Sequence, residues 1–131
     1  HHFATLSLSS TASDYLRFSQ MLLNGGELDG VRILGSKTVS VMRENHLPPN
    51  IPSIAGRPGI GWGLGVSVVT DTAAAGGLNS VGSFGWSGAA TTTFSVDPQE
   101  KLTYVIMAQL MPNDSALMQR VETLIYQAIT D

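Results

Sequence analysis

Between Ser80 and Pro98 the chain sets small residues among aromatics and then runs into β-formers, as Ser-Val-Gly-Ser-Phe-Gly-Trp-Ser-Gly-Ala-Ala-Thr-Thr-Thr-Phe-Ser-Val-Asp-Pro. Glycine inside a strand pattern often marks a point where another group approaches the backbone closely. Gly85, Gly88, Ala89 and Ala90 therefore predict a wall of bare main chain, offered to a ligand or to another strand. Ser87 sits in a Gly-Trp-Ser-Gly-Ala context close to that of a nucleophile elbow. Ala89 stands where that motif needs its last glycine, however, and β-residues follow where a helix should. Ser87 is therefore not read as a nucleophile. His46 is of the right type for a general base, but a hydrogen-bonded loop histidine is the simpler reading. Asp71, Asp97 and Glu100 lie in turn sequences, where carboxylates are ordinarily solvated. Histidines at 1, 2 and 46 do not make a metal-ligand set, so neither metal nor cofactor is expected. Trp62 and Trp86 fall on strands, where they serve either the core or a pocket wall.

Composition bounds the reading. The 131 residues suit a single domain spanning 1–131, with His1-His2 read as a tag remnant. Charged residues make up 13% of the chain, about half the usual share, which implies surface buried against a partner or a further segment. A net charge of −3 with seven scattered Lys and Arg leaves no electrostatic footprint for nucleic acid. Cysteine is absent, which excludes disulfides and thiolate chemistry. No run reaches the roughly 18 apolar residues that cross a bilayer, so no membrane span is expected. The N-terminus lacks the basic and apolar regions of a signal peptide.

The elements that must position the Gly-rich stretch follow from pattern. Thr11-Ala-Ser-Asp14 has the form of a capping box, and Tyr15, Leu16, Phe18, Met21, Leu22 and Leu23 then give a largely apolar helix stopped at Asn24-Gly25-Gly26. Asp29-Gly30 predicts a small hairpin, and Ser36 a second short helix carrying Val39 and Met42. Pro48 to Pro58 is a loop. From Gly61 to Val69 the alternation of Trp62, Leu64, Val66 and Val68 predicts one strand with a buried face, followed by a flexible segment from Asp71 to Asn79. Strands are expected at about Val81 to Trp86 and Thr91 to Val96. Leu102 to Ala108, apolar at nearly every position, is expected to be central and covered on both faces. Leu117, Val121, Leu124, Ile125 and Ala128 form a helical stripe to be laid on the sheet, capped by Asn113 or Asp114. The expected class is α+β: an antiparallel sheet of about three to four strands packed against the C-terminal helix and the N-terminal helices.

Several segments, in this order, resemble the serine β-lactamase and penicillin-binding-protein superfamily in its class C and carboxylesterase-like branch. They are Ser-Thr-Ala-Ser-Asp-Tyr-Leu-Arg-Phe at 10–18, Leu-Asn-Gly-Gly-Glu-Leu-Asp-Gly-Val-Arg at 23–32, Asn-His-Leu at 45–47, Gly-Trp-Gly-Leu-Gly-Val at 61–66 and Phe-Gly-Trp-Ser-Gly-Ala-Ala at 84–90. Trp86-Ser87-Gly88 looks like the Lys-Thr-Gly, His-Ser-Gly or Trp-Gly-Gly triplet on the strand that edges the active site of that family. The resemblance implies that Trp86, Ser87 and Gly88 bind substrate and that the Ala89 N–H is one of two oxyanion donors.

The family's other motifs are absent from these 131 residues. Lys37 and Lys101 are preceded three positions earlier by Leu34 and Pro98, so neither completes Ser-x-x-Lys. Tyr15, Tyr104 and Tyr126 are followed two positions later by Arg17, Ile106 and Ala128, so Tyr-x-Asn is missing too. The resemblance therefore implies a C-terminal part of a larger β-lactamase-like domain, inactive alone, whose partner is the N-terminal part of the same enzyme or a second copy. The parent, cytoplasmic or periplasmic, would take a small ester or amide. Trp86 in the lysine position removes the cation that would hold a β-lactam carboxylate, which favours ester hydrolysis or acyl transfer on neutral substrates. Relatives often carry glycine near Thr91, which implies a turn of different shape after Ala90. Two other readings stand beside this one: a self-associating or partner-completed assembly module, and an unrelated small α+β binding domain.

Overall fold

The computed structural model describes residues 8–131; His1-His2 lie outside them. Helix α1 (Ala12–Leu23) starts where Thr11, in extended backbone, accepts a hydrogen bond from the Asp14 N–H at 3.1 Å. It ends as predicted, with the Gly26 N–H returning to the Met21 carbonyl at 2.8 Å. Strands β1 (Glu27–Leu28) and β2 (Val31–Arg32) pair around Asp29-Gly30, both at positive φ as a two-residue hairpin turn requires. Helix α2 (Ser36–Met42) begins one position earlier than expected: Gly35 is the N-cap, and no side chain caps it.

Among the described residues five strands, against the expected three to four or so, then form one antiparallel sheet in chain order: β3 (Ile60–Trp62), β4 (Ser67–Val69), β5 (Phe84–Gly88), β6 (Thr92–Asp97) and β7 (Leu102–Met107). The single strand expected over 61–69 is in fact the hairpin of β3 and β4. A Cβ on Gly63 would collide with the Met42 carbonyl, and Gly65 takes φ +80°, so the alternating pattern turns back on itself at Leu64. The segment expected to be flexible holds a one-turn helix, α3 (Thr72–Ala75), capped by Asp71 accepting from the Ala74 N–H at 3.0 Å. Among the described residues strand β7 lies at the sheet edge and not at its centre, paired with β6 alone. Its apolar run reports partial cover on its two faces, and cover says nothing about how many edges are paired.

The register places Phe84, Trp86, Phe94, Val96 and Val105 on one face of the sheet, and α1 lies across that face. The Tyr15 and Phe18 rings stand 5.1 and 6.3 Å from Phe94, and Met21, Leu22, Val66, Val68, Phe84, Phe94 and Val96 close the core. Each of the buried side chains among them, Phe18 and Tyr15 excepted, contributes about 1.5–3 kcal/mol by leaving water.

Helix α4 (Ser115–Gln127), capped by Asp114 accepting from Leu117 N–H at 2.9 Å, covers part of the opposite face. It does so most deeply with Met118, Glu122 and Tyr126; of the predicted stripe Val121 and Ile125 are half-buried, while Leu117 is 41% and Leu124 66% exposed. The facing strands explain the choice. They present Tyr104 and Asp97, which need hydrogen-bonding partners more than apolar cover. Tyr104 Oη donates to Glu122 Oε2 at 2.9 Å, and Tyr126 Oη to Asp97 Oδ2 at 2.7 Å. Asp97 is not a solvated turn carboxylate. It is buried and also accepts from the backbone N–H groups of Ser80, Gln99 and Glu100.

Candidate functional site

Strand β5 is paired unequally along its two edges. On one side β6 runs beside all five residues, from Phe84↔Val96 to Gly88↔Thr92; on the other, β4 reaches only Phe84 and Gly85. Trp86, Ser87 and Gly88 thus lie on a strand whose outer edge no other strand of the described residues pairs. The Ser67 hydroxyl donates to the Gly85 carbonyl at 2.9 Å, which identifies the edge toward which that carbonyl points. Backbone groups alternate sides along a strand. The main-chain groups of Ser87 therefore project from the same outer edge, two residues on, beyond the reach of β4.

The side chains sort by face. Trp86 stands on the α1 face, 48% exposed, with its ring edge-on to Trp62 at a centroid distance of 4.9 Å. The two tryptophans form one aromatic block at the rim instead of a core plug. Ser87 turns to the other face, where its hydroxyl donates to Thr93 Oγ1 at 3.0 Å, and Thr93 donates in turn to the Trp86 carbonyl at 3.2 Å. Among the described residues no histidine or lysine joins this chain of hydroxyls, so none of them would strip the Ser87 proton. Gly85 needs its bare backbone because a Cβ would run into the Phe94 carbonyl, whereas a Cβ on Gly88 would meet only the Thr92 hydroxyl.

Ala89 follows the strand, exposed, in the short turn to β6, and its N–H donates none of the turn and loop hydrogen bonds of the described residues. Thr91 closes the turn at φ +58°, a conformation glycine favours, and is fully buried. Its hydroxyl compensates by donating to the Leu110 carbonyl at 2.6 Å and accepting from the Asp114 N–H at 3.0 Å. Asn113 completes the join, its side-chain amide donating to the Gly88 carbonyl at 2.7 Å. The sequence reading missed this role. It placed Asn113 only as a possible helix cap, and nothing local in the sequence announces a partner 25 residues away.

His46 is a structural loop histidine, with its ring Nε2 bonded to the Val41 carbonyl at 2.7 Å and its backbone N–H donating to the Trp62 carbonyl at 2.7 Å. On the sheet face away from α1, a cavity of about 370 Å³ opens between the strands and α4, bordered by Ser67, Gly85, Thr93, Ser95 and Glu122. Burial holds the Glu122 carboxyl above the usual carboxylate range against the opposing pull of Tyr104 and Arg57. Burial first, then the neighbouring carboxylate, raises the Tyr104 and Tyr126 hydroxyls far above ordinary tyrosine. No group of three or more potential metal ligands comes together among the described residues.

Residues 4–127 match the Beta-lactamase family model. The chain belongs to the beta-lactamase family. It is 41% identical over 114 residues to the protein Rv1367c of Mycobacterium tuberculosis, covering 81% of this chain and 28% of the relative. Among solved structures it resembles EstCE1, a hydrolase with promiscuous acyltransferase activity, at 23% identity and TM-score 0.76 over 89% of this chain and 30% of the other. A simvastatin synthase (LovD) variant from Aspergillus terreus aligns at 25% identity and TM-score 0.68 over 86% and 32%. A penicillin-binding-protein homologue from Caulobacter crescentus aligns at 19% and 0.70 over 89% and 32%. The chain spans about 30% of the length of these relatives. The partial β-lactamase-like α+β fold expected from the motifs is the fold observed.

Proposed function

We propose that these residues are the C-terminal portion of a β-lactamase-like serine hydrolase and supply the docking edge of its acyl-enzyme pocket. The unpaired outer edge of β5 beyond Gly85 carries this reading, because a substrate can lie along it as an added strand. Trp86, Ser87 and Gly88 bind the substrate, and the Ala89 N–H donates to the developing oxyanion. In the intact enzyme a serine hydroxyl outside this chain attacks the acyl carbonyl. The tetrahedral oxyanion forms against Ala89 and the serine's own N–H. Collapse then expels the alcohol, which takes up the serine's proton through the enzyme's base, and water or another alcohol accepts the acyl group.

Half an oxyanion hole without a nucleophile accelerates nothing, so the 131 residues alone turn over neither chromogenic esters nor cephalosporins. The Trp62–Trp86 block supports a neutral, apolar substrate over an anionic β-lactam. The test is a chromogenic ester assay of the isolated chain and of the intact protein. Expected are silence from the first and turnover from the second, lost when the serine of a Ser-x-x-Lys is replaced. Turnover by the isolated chain that disappears in Ser87→Ala would overturn the proposal.

A second reading, that the chain is an assembly module completed by the rest of the enzyme or by another copy, is supported by the cavity beside α4 and by the exposed Leu117 and Leu124. Light scattering on the isolated chain separates the two: a monodisperse monomer counts against self-association.

A further inference from the structure

The hydrogen bond from Asn113 to Gly88 bears on the oxyanion donor itself. The Gly88 carbonyl and the Ala89 N–H belong to one peptide group, which is planar and trans, so the two point in opposite directions. Whatever fixes the carbonyl fixes the N–H. The Asn113 side chain donates to that carbonyl at 2.7 Å from the start of α4, and only the amide nitrogen can occupy the near position, because its oxygen would face another oxygen. The Ala89 N–H is thereby aimed away from α4, toward the edge of β5 that β4 leaves unpaired.

The base from which Asn113 reaches is itself fastened. Ala108 N–H bonds the Thr91 carbonyl at 3.1 Å and Leu110 N–H the Ala90 carbonyl at 3.2 Å. The Thr91 hydroxyl ties both Leu110 and Asp114, so the segment 108–114 is sewn to the turn after Gly88 on either side of Asn113. The turn itself needs such a fastening, since Thr91 holds a left-handed conformation that a branched residue adopts at a cost. A hydrogen bond at a peptide oxygen also polarises the N–H of the same peptide and makes it a better donor.

We infer that Asn113 is a positioning residue: it orients and polarises the Gly88–Ala89 peptide so that the Ala89 N–H meets a developing oxyanion. This rests on the functional reading above, and it adds a residue that touches neither substrate nor the reacting atoms.

The test has two arms. In the 131-residue chain labelled with ¹³C and ¹⁵N, Asn113→Asp keeps the side-chain shape and removes the donor. The Gly88 carbonyl carbon and the Ala89 amide then shift, while resonances of the α1 face stay in place. Asn113→Ala gives the same pattern, and agreement of the two excludes a simple packing effect. In the intact enzyme both variants lower kcat for an ester about tenfold with KM unchanged, less than the 10²–10³ expected for losing a whole donor. Unmoved Gly88 and Ala89 resonances overturn the inference whatever the activity. A loss confined to KM overturns it as well, and assigns Asn113 to substrate binding. An intact enzyme that hydrolyses no ester sinks the functional reading, and the resonance shifts still decide whether Asn113 holds the peptide.

Discussion

The two faces of the sheet are built on different principles. Against α1 the sheet presents Phe84, Phe94, Val96 and Val68, and the helix answers with Tyr15, Phe18, Met21 and Leu22; cohesion there comes from apolar area removed from water. Against α4 it presents Ser95, Thr93, Tyr104 and Asp97, and the helix answers with Glu122 and Tyr126 through directed hydrogen bonds, leaving a cavity of about 370 Å³ beside them. Apolar packing tolerates no gap, whereas a polar network can be satisfied point by point around one. The comparison teaches where each face can change: the α1 face has a packed apolar centre, with Trp86 and Phe18 still exposed around it, and the α4 face has room for more protein or for solvent.

The strongest way to break this contrast is Phe94→Ala. It empties the centre of the α1 face and should lower unfolding stability by about 3–5 kcal/mol in urea denaturation followed by tryptophan fluorescence. A loss no larger than that of a surface substitution would mean that the α1 face is not the core. Next comes Asp97→Asn, which keeps the shape but weakens the node joining Tyr126, Ser80, Gln99 and Glu100; the expected loss is about 2 kcal/mol.

That variant also carries a pH signature. Burial alone would raise the Asp97 carboxyl, but the hydrogen bonds it accepts from Tyr126, Ser80 and Glu100 outweigh burial and hold it below its ordinary value. A depressed folded pKa contributes stability above the unfolded value, near about 4, that is lost as pH falls through the folded one. Thermal melts should therefore weaken in acid for the wild type and show less of that slope for Asp97→Asn.

Glu122 gives the smallest and opposite effect, and sharpens the comparison most. Its folded pKa is raised, so stability is fully present below the unfolded value and declines as pH rises through the folded one. Glu122→Gln keeps an acceptor for the Tyr104 hydroxyl and removes the charge. Its melting temperature should exceed the wild type's at pH 7 and equal it near pH 4. A lower value at pH 7 would show that the charge itself holds α4 in place.

Legibility in the sequence followed the range of the interactions. Thr11 capping α1, Gly25-Gly26 stopping it, Asp29-Gly30 turning the first hairpin and Asp114 opening α4 all act within three or four residues, and all were readable. For the Gly-rich strand, pattern ended it at about Trp86, and it was the family resemblance that put Ser87 and Gly88 on it as well; β5 runs to Gly88. What escaped was partner choice. Leu64 continued a strand-like alternation because periodicity cannot see Gly63 tucked under the Met42 carbonyl. The apolar run of β7 could not reveal that, among the described residues, it has one paired edge instead of two. The stripe through Leu117 and Leu124 was a sound helical pattern, yet the helix turned Glu122 and Tyr126 inward to meet Tyr104 and Asp97.

Residue order alone decided where helices and turns begin and end, that the last three strands pair antiparallel, and which family the motifs belong to, since each depends on neighbours a few positions apart or on short segments in a fixed order. Only the folded chain decided which face of α4 is buried, that β4 stops short and frees the outer edge of β5, and that Asn113 reaches back 25 residues to the Gly88 carbonyl. Those outcomes depend on which distant groups the packed layers bring to within 3 Å of each other, and no local pattern encodes that distance.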